Sequence, residues 1–246
     1  MILPLLTTWL SVGLAGLAAF ALAVLSAVAG FGGGVLLLPV FTALFGLRTA
    51  VPMLTLTQLS SNGGRVWLNR HALRWRLVGW YALGAVPLSV AGALLFAHAP
   101  LGALKRALGV FLILVVVWRR LGRRPRALDS RAFAGVGAAS GLVSALVGSA
   151  GPLTAPFFLA YGLTRAAYIG TEAASALTMH GAKLIGYGAG DLLTTRVLLY
   201  GVALTPATIA GAWTGKHIVA RITDRTFVIL VELGLLAAGL LFVLGG

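Results

Sequence analysis

The sequence predicts an all-α protein that crosses a lipid bilayer many times. Three observations lead there. Apolar residues make up 59% of the chain, and its mean hydropathy is +1.00. Only 10% of residues are charged, against about 25% in ordinary globular proteins. Those charges collect in short stretches between apolar runs, and several runs reach the ~20 residues that a spanning helix needs. A soluble helical core of this size would require a polar outer shell, and no part of the chain supplies one.

Taken in order, the clearest span candidates are residues 5–29, 50–68, 75–97, 103–118, 132–147 and 167–188, followed by 196–215 and 226–245. Two further apolar stretches, 34–46 and 152–163, are short, and each follows a glycine-rich break. At ~1.5 Å per residue they cover roughly half to two-thirds of a membrane, as half-helices of re-entrant hairpins or short tilted spans do. About eight full spans are expected. The N-terminal run has no basic leader, and its apolar stretch is too long for a signal peptide, so it reads as the first helix. No sizeable soluble domain fits at either end.

The formal net charge of +14 comes from 19 basic residues, 16 of them arginine. Their confinement to loops is the pattern of positive-inside topology rather than of nucleic-acid binding, and it suits anionic lipid headgroups at the cytoplasmic leaflet. The strongest block, residues 118–131, carries six arginines and falls at the middle of the chain. A second block, RVWLNRHALRWR at 65–76, reads as a cytoplasmic loop by the same rule. There is no cysteine, so disulfides and thiolate metal sites are excluded. The four histidines are scattered, and no metal or other cofactor is expected.

The chain looks duplicated. PVFTALFGLRTA at 39–50 aligns with PFFLAYGLTRAA at 156–167, so that Pro39 meets Pro156, Arg48 meets Arg165 and Gly34 meets Gly151. TQLSSNGG at 57–64 falls near AASALTMHG at 174–181, and after a small slip VAG at 90–92 meets IAG at 209–211. The first repeat is placed at 1–121, a linker at 122–131 and the second repeat at 132–246. The basic bias of equivalent loops swaps between the halves, which predicts inverted repeats with a site near the midplane where they meet.

The sharpest local feature is AGFGGGVLLLP at 29–39. Gly30, Gly32, Gly33 and Gly34 stand between two apolar segments. Glycine opens backbone angles closed to other residues and lets a ligand approach the chain. Successive N–H groups there can form an anion-binding nest, with the positive end of the next helix behind it. The motif lacks the Lys-Ser/Thr of a nucleotide-binding P-loop. Glycines that merely allow tight helix packing are the bland alternative. The second copy, LVGSAGPLTAP at 146–156, favours a site: Gly148, Ser149 and Gly151 precede Pro152, which suits the first turn of a helix, and Ser149 can cap that helix or meet a ligand.

Together, GFGGGVLLLP at 30–39, the polar helix after it and the second copy built around GSAGPLTAP resemble the sulfite exporter TauE/SafE family over nearly the whole chain. The resemblance implies about eight spans in two homologous halves and transport of a sulfur-containing anion such as sulfite or an organosulfonate. The second copy departs from the fuller glycine pattern, with Val147, Ser149 and Ala150 where the first has Gly30, Gly32 and Gly33.

Polar groups in the spans complete the expected site. Gln58, Ser61 and Asn62 share one helical face by their spacing, and Thr57 lies beside them. Ser175, Thr178 and His180 take the equivalent part in the second half. Polar side chains at membrane depth belong in a bundle interior or cavity, although interhelical bonding alone would also account for them. Glu172 is the acidic residue of the interior polar helices, and a carboxylate there can carry a proton. His180 is a second candidate for proton coupling, since histidine changes charge near neutral pH. Lys183 is too far along the helix to pair with Glu172, so each should pair elsewhere. Glu232, in the last apolar run, ranks lower. Arg48 and Arg165 are expected to anchor at the interface by snorkelling.

The reading is a secondary transporter, and most readily an exporter, of a small anion across a bacterial inner membrane. An anion channel or a non-transport scaffold subunit are the alternatives. A membrane-embedded enzyme would show a nucleophile, an acid pair or metal ligands at membrane depth, and the sequence contains none. Monomer and homodimer stay equally open.

Overall fold

The computed structural model describes residues 34–121 and 128–218 continuously, together with 13, 14, 16–21, 24, 229, 232, 233, 236, 239, 240 and 242–244. The described residues are helical. In chain order the helices are α1 (Gly34–Phe45), α2 (Leu47–Leu68), α3 (Trp75–His98), α4 (Leu101–Arg120), α5 (Phe133–Val147), α6 (Gly151–Ala160), α7 (Arg165–Ala189) and α8 (Thr195–Ile218). A 3-10 turn at Ser130–Ala132 leads into α5, and the Asp129 carboxylate accepts a hydrogen bond from the Arg131 N–H at its start. The boundaries of these helices fall within a few residues of the corresponding apolar runs, while the runs at 5–29 and 226–245 lie largely outside the described residues.

Among the described residues, three segments are long and apolar enough to cross a membrane: Trp75–His98, Leu101–Trp118 and Ser130–Val147. The lengths of α2, α7 and α8, at 22, 25 and 24 residues, also suffice, but polar and charged side chains lower their hydropathy. Many large apolar side chains point outward, among them Leu83, Leu95, Leu114, Ile185, Leu199 and Val202. Such faces suit acyl chains. Near the α2–α3 turn the exposed residues include Trp67, Trp75 and several basic side chains, and the Arg70 guanidinium lies 4.5 Å over the Trp67 ring, the aromatic-and-basic dress of a membrane interface.

The two short segments are short helices. With 12 residues in α1 and 10 in α6, they extend ~18 and ~15 Å at 1.5 Å per residue. Gly46 (φ 77°) ends α1 and Gly162 (φ 81°) follows α6, a left-handed backbone that glycine adopts without strain. Each short helix then leads directly into a long polar one. Arg48, at the start of α2, turns its guanidinium onto the last carbonyls of α3, Ala97 O at 2.8 Å and Ala99 O at 3.0 Å. Its role is to cap a helix C-terminus, which uses the snorkelling stem but directs the charge into the protein. Arg165 is the first residue of α7.

Glycine decides the closest packing. Between α3 and α5, a Cβ on Gly84 would run into the Ala134 carbonyl, and one on Gly137 into the Tyr81 carbonyl. A Cβ on Gly141 would lie 2.6 Å from Ala85 O. These obstacles are backbone atoms and cannot move aside, so small-residue packing brings the two helices together. The same helix α3 packs against α7, where Val90 and Ala93 meet Gly186, Ala97 meets Gly190 and Tyr81 meets Met179; the two helices run in the same direction. By contrast α2 and α7 run antiparallel. Asn69 and Arg65, near the end of α2, meet Gly170 and Glu172 near the start of α7, while Thr55 lies beside Tyr187. Elsewhere Arg120 of α4 pairs with the buried Glu232 at 2.7 Å, so Glu232 has the partner its sequence context did not reveal.

Candidate functional site

A small, partly open cavity lies between α2, α3, α6 and α7. It is lined on α2 by Gln58, Asn62 and Arg65, at the α5–α6 break by Ser149, Ala150 and Gly151, and on α7 by Glu172, Ala176, Met179 and His180, with Tyr81, Thr154 and Phe158 completing it. The space in which a water-sized sphere can move is about 10 Å³, room for about one water molecule.

Each wall follows from local sequence. Gln58, Asn62 and Arg65 are spaced i, i+4, i+7, one stripe of a helix. Glu172, Ala176 and Met179 repeat that spacing on α7. The third wall comes from a helix break. Gly148 ends α5 with φ 87°, and a Cβ there would press on Leu38 at 3.1 Å, so both conformation and space call for glycine. Two residues later α6 starts, with Ala150 at its N-cap and Pro152 in its first turn. In the first turn of α6 the Leu153 and Thr154 N–H groups bond Ala150 O and Pro152 has no N–H, so the helix presents Gly151 and the positive end of its dipole to the cavity.

The charged centre of the cavity is an ion pair. Arg65 Nη2 lies 2.8 Å from Glu172 Oε2, and Arg65 Nη1 donates to Asn62 Oδ1 at 3.0 Å. The Arg65 side chain is 21% exposed and that of Glu172 6%, so this guanidinium stands at the boundary between cavity and exterior. His180 is buried, and its Nδ1 has no hydrogen-bond partner among the described residues. A cationic fork with its paired carboxylate, two amide side chains, a histidine and a helix N-terminus converge on one space. That arrangement suits a small oxyanion.

The structure brings Gln58, Asn62, Ser149, Gly151, Glu172 and His180 together at the cavity. Ser61 is half-buried and off the cavity stripe, since three residues carry it about 60° from Gln58 around the helix. Ser175 is buried behind the wall, its hydroxyl without a hydrogen-bond partner among the described residues. Thr57 and Thr178 turn their hydroxyls onto Leu54 O and Ser175 O of their own helices. Gly148 supplies the bend and a buried carbonyl that accepts from Lys183, rather than a wall of the cavity. Ser149 does not cap α6: the N-cap is Ala150, and no side chain caps it. Gly34 opens α1, whereas Gly30, Gly32 and Gly33 lie outside the described residues.

Two charged residues take positions that the charge pattern of the sequence does not indicate. Arg65 belongs to the last turn of α2 and faces the cavity; grouping it with a loop block hid it, although its i+7 spacing from Gln58 was a usable signal. Lys183 is fully buried and bonds Ser144 Oγ at 3.1 Å and the Gly148 carbonyl at 3.2 Å. As expected, Lys183 and Glu172 each pair elsewhere.

No curated protein and no solved structure matches the chain. The family model described as Sulfite exporter TauE/SafE matches residues 15–242, a stretch that contains both glycine motifs and every residue of the cavity. The chain belongs to the sulfite exporter TauE/SafE family of membrane transporters.

Proposed function

We propose that the chain is a secondary transporter, working as an exporter, that carries a small sulfur-containing anion such as sulfite or an organosulfonate across the bacterial inner membrane. One observation carries this reading: Arg65, Asn62, Gln58, His180 and the N-terminus of α6 converge on a single cavity walled by the two polar helices. A planar guanidinium and backbone N–H donors are the groups that hold oxyanions. The cavity is narrow, so the anion enters as the walls part and is released as they part on the other side, the alternating exposure of a fixed site.

The molecule is read as two inverted halves, 1–121 and 132–246, with about eight spans in all. The antiparallel course of α2 and α7, which hold equivalent places in the two copies, supports inversion. In the aligned sequence, Gly32, Gly33 and Gly34 stand where the second half has Ser149, Ala150 and Gly151. Basic loops such as the one at Arg70, Arg74 and Arg76 rest on anionic lipid headgroups.

Transport is coupled to protons through Glu172, with His180 as the second group. Glu172 holds the guanidinium that the anion needs. Proton and anion therefore favour each other: a protonated Glu172 releases Arg65, and a bound anion takes the carboxylate's place. The other titratable or charged groups near this carboxyl are Arg65 from α2, Tyr81 from α3, and Tyr168 from α7.

The test is uptake of [35S]sulfite and labelled methanesulfonate into proteoliposomes of the purified protein. Saturable uptake driven by a pH gradient is expected, and Arg65→Ala should abolish it. Flux that is unsaturable and indifferent to the gradient would favour a channel, and absence of flux with either anion would refute the reading.

A further inference from the structure

Lys183 is the buried charge that the ion pair of the cavity does not use. Its side chain is completely buried on α7. Its ammonium donates to the Ser144 hydroxyl and the Gly148 carbonyl and lies 5.9 Å from the centre of the Tyr187 ring. All three partners are neutral. The chain has five carboxylates, and the four within the described residues are elsewhere. Glu172 is on Arg65, Glu232 on Arg120, Asp129 at the start of the 3-10 turn, and Asp191 exposed beyond α7. A buried cation with neutral partners alone is costly to maintain.

Its position explains what it can offer. The ammonium sits on the carbonyl end of α5, the negative end of that helix's dipole. Tyr187 fastens the same end by donating to Ala145 O at 2.6 Å. One peptide beyond Gly148, Ser149 enters the cavity wall, and one turn before Lys183, His180 does so. The broken helix therefore holds a cation at the end of α5 and presents the positive end of α6 to the cavity.

We propose that Lys183 is the built-in counter-cation of the anion site: seated on Gly148 O and Ser144 Oγ, it balances the charge of an oxyanion bound at the mouth of α6. It acts at short range without touching the anion, so it is a positioning and charge-balancing residue, and Arg65 is the direct ligand. The inference rests on the anion-transport reading above and adds a residue to it.

The experiment compares wild type, Lys183→Met, Lys183→Arg and Ser144→Asp in proteoliposomes, with [35S]sulfite and labelled methanesulfonate. Methionine keeps the stem and removes the charge. At an effective dielectric constant of ~20, two unit charges about 6–12 Å apart interact strongly enough to change affinity by roughly ten- to a hundredfold. Lys183→Met should therefore raise KM by at least about tenfold while Vmax stays within about twofold, and Lys183→Arg should hold KM within about threefold of wild type. Ser144→Asp retains the lysine but supplies a competing carboxylate, and should raise KM as Lys183→Met does. This second variant decides the matter if Lys183→Met fails to give monodisperse protein. Unchanged KM in Lys183→Met or Ser144→Asp overturns the assignment, as does a fall in Vmax at constant KM shared by the methionine and arginine variants, the mark of a packing role. A wild type that carries neither anion refutes the transport reading itself, whereas a wild type that carries one, with a variant of unchanged KM, refutes Lys183 alone.

Discussion

Replacing Glu172 by glutamine separates the two functions given to the ion pair, holding Arg65 in place and competing with the anion for it. Glutamine conserves the shape and removes the charge. At the observed 2.8 Å an effective dielectric constant of ~20 gives a gross attraction of ~6 kcal/mol. Desolvation of both groups offsets much of this, and removing one partner of a fully buried pair costs ~3–5 kcal/mol. Arg65 is one-fifth exposed and keeps Asn62 as a second partner, so a loss of ~1–3 kcal/mol in the anion-free protein is expected. Anion binding changes in the opposite direction. Arg65 no longer has to leave a carboxylate, and KM should fall by about tenfold, equivalent to ~1.4 kcal/mol. The pH profile separates the two variants: uptake should change with pH in wild type and stay flat in Glu172→Gln. Methanesulfonate is the right probe, because it stays anionic across the range and its own titration cannot imitate that of the protein. The assay is initial uptake into proteoliposomes from mildly acidic to mildly alkaline pH, with thermal unfolding in detergent alongside. Wild-type uptake indifferent to pH, or a Glu172→Gln profile with the same slope as wild type, would refute the reasoning.

Three further outcomes follow from the packing and the topology. Gly137→Val places a branched side chain against the Tyr81 carbonyl of α3, where backbone cannot yield; the purified protein should aggregate or lose several degrees of thermal stability, and a normally stable, monodisperse variant would contradict the close α3–α5 packing. Arg48→Ala removes two charge-assisted bonds to the end of α3 and should lower stability by ~1.5–3 kcal/mol without changing the KM for anion, as thermal unfolding and uptake together would register. Single cysteines at Arg70 and Asp191 occupy the turns after α2 and α7; a membrane-impermeant thiol reagent should reach them from opposite faces of the membrane, and labelling from the same face would contradict inversion.

Much of the architecture was legible because the membrane constrains the sequence so strongly. Apolar length set the long helices, and the segments at 34–46 and 152–163 were recognisable as short since each began at a glycine break and ended before a polar run. The site was legible in part. Gln58, Asn62, Ser149, Gly151, Glu172 and His180 stood out because polar atoms at membrane depth need a reason. Ser61 was included by its spacing from Gln58, but a helical face is wide, and only the angle at which α2 meets α7 determines which edge of that face is walled into a cavity. Arg65 was passed over because an arginine at the end of a span looks the same from the sequence whether it turns to lipid headgroups or inward.

The sequence by itself determined that this is a helical membrane chain, with two glycine-rich stretches ahead of short apolar segments and with polar groups concentrated in two helices. Those properties depend on composition and local spacing, which the chain carries without reference to its fold. Only the tertiary structure decided the pairings: Arg65 with Glu172, Arg48 with the end of α3, Arg120 with Glu232, and Lys183 with the carbonyl of Gly148. Each joins residues far apart in the chain, and each depends on helix directions and crossing points set by backbone-to-backbone contact at glycines such as Gly84 and Gly137. A charge can be read from the sequence, but its partner follows from which helices come close enough to touch.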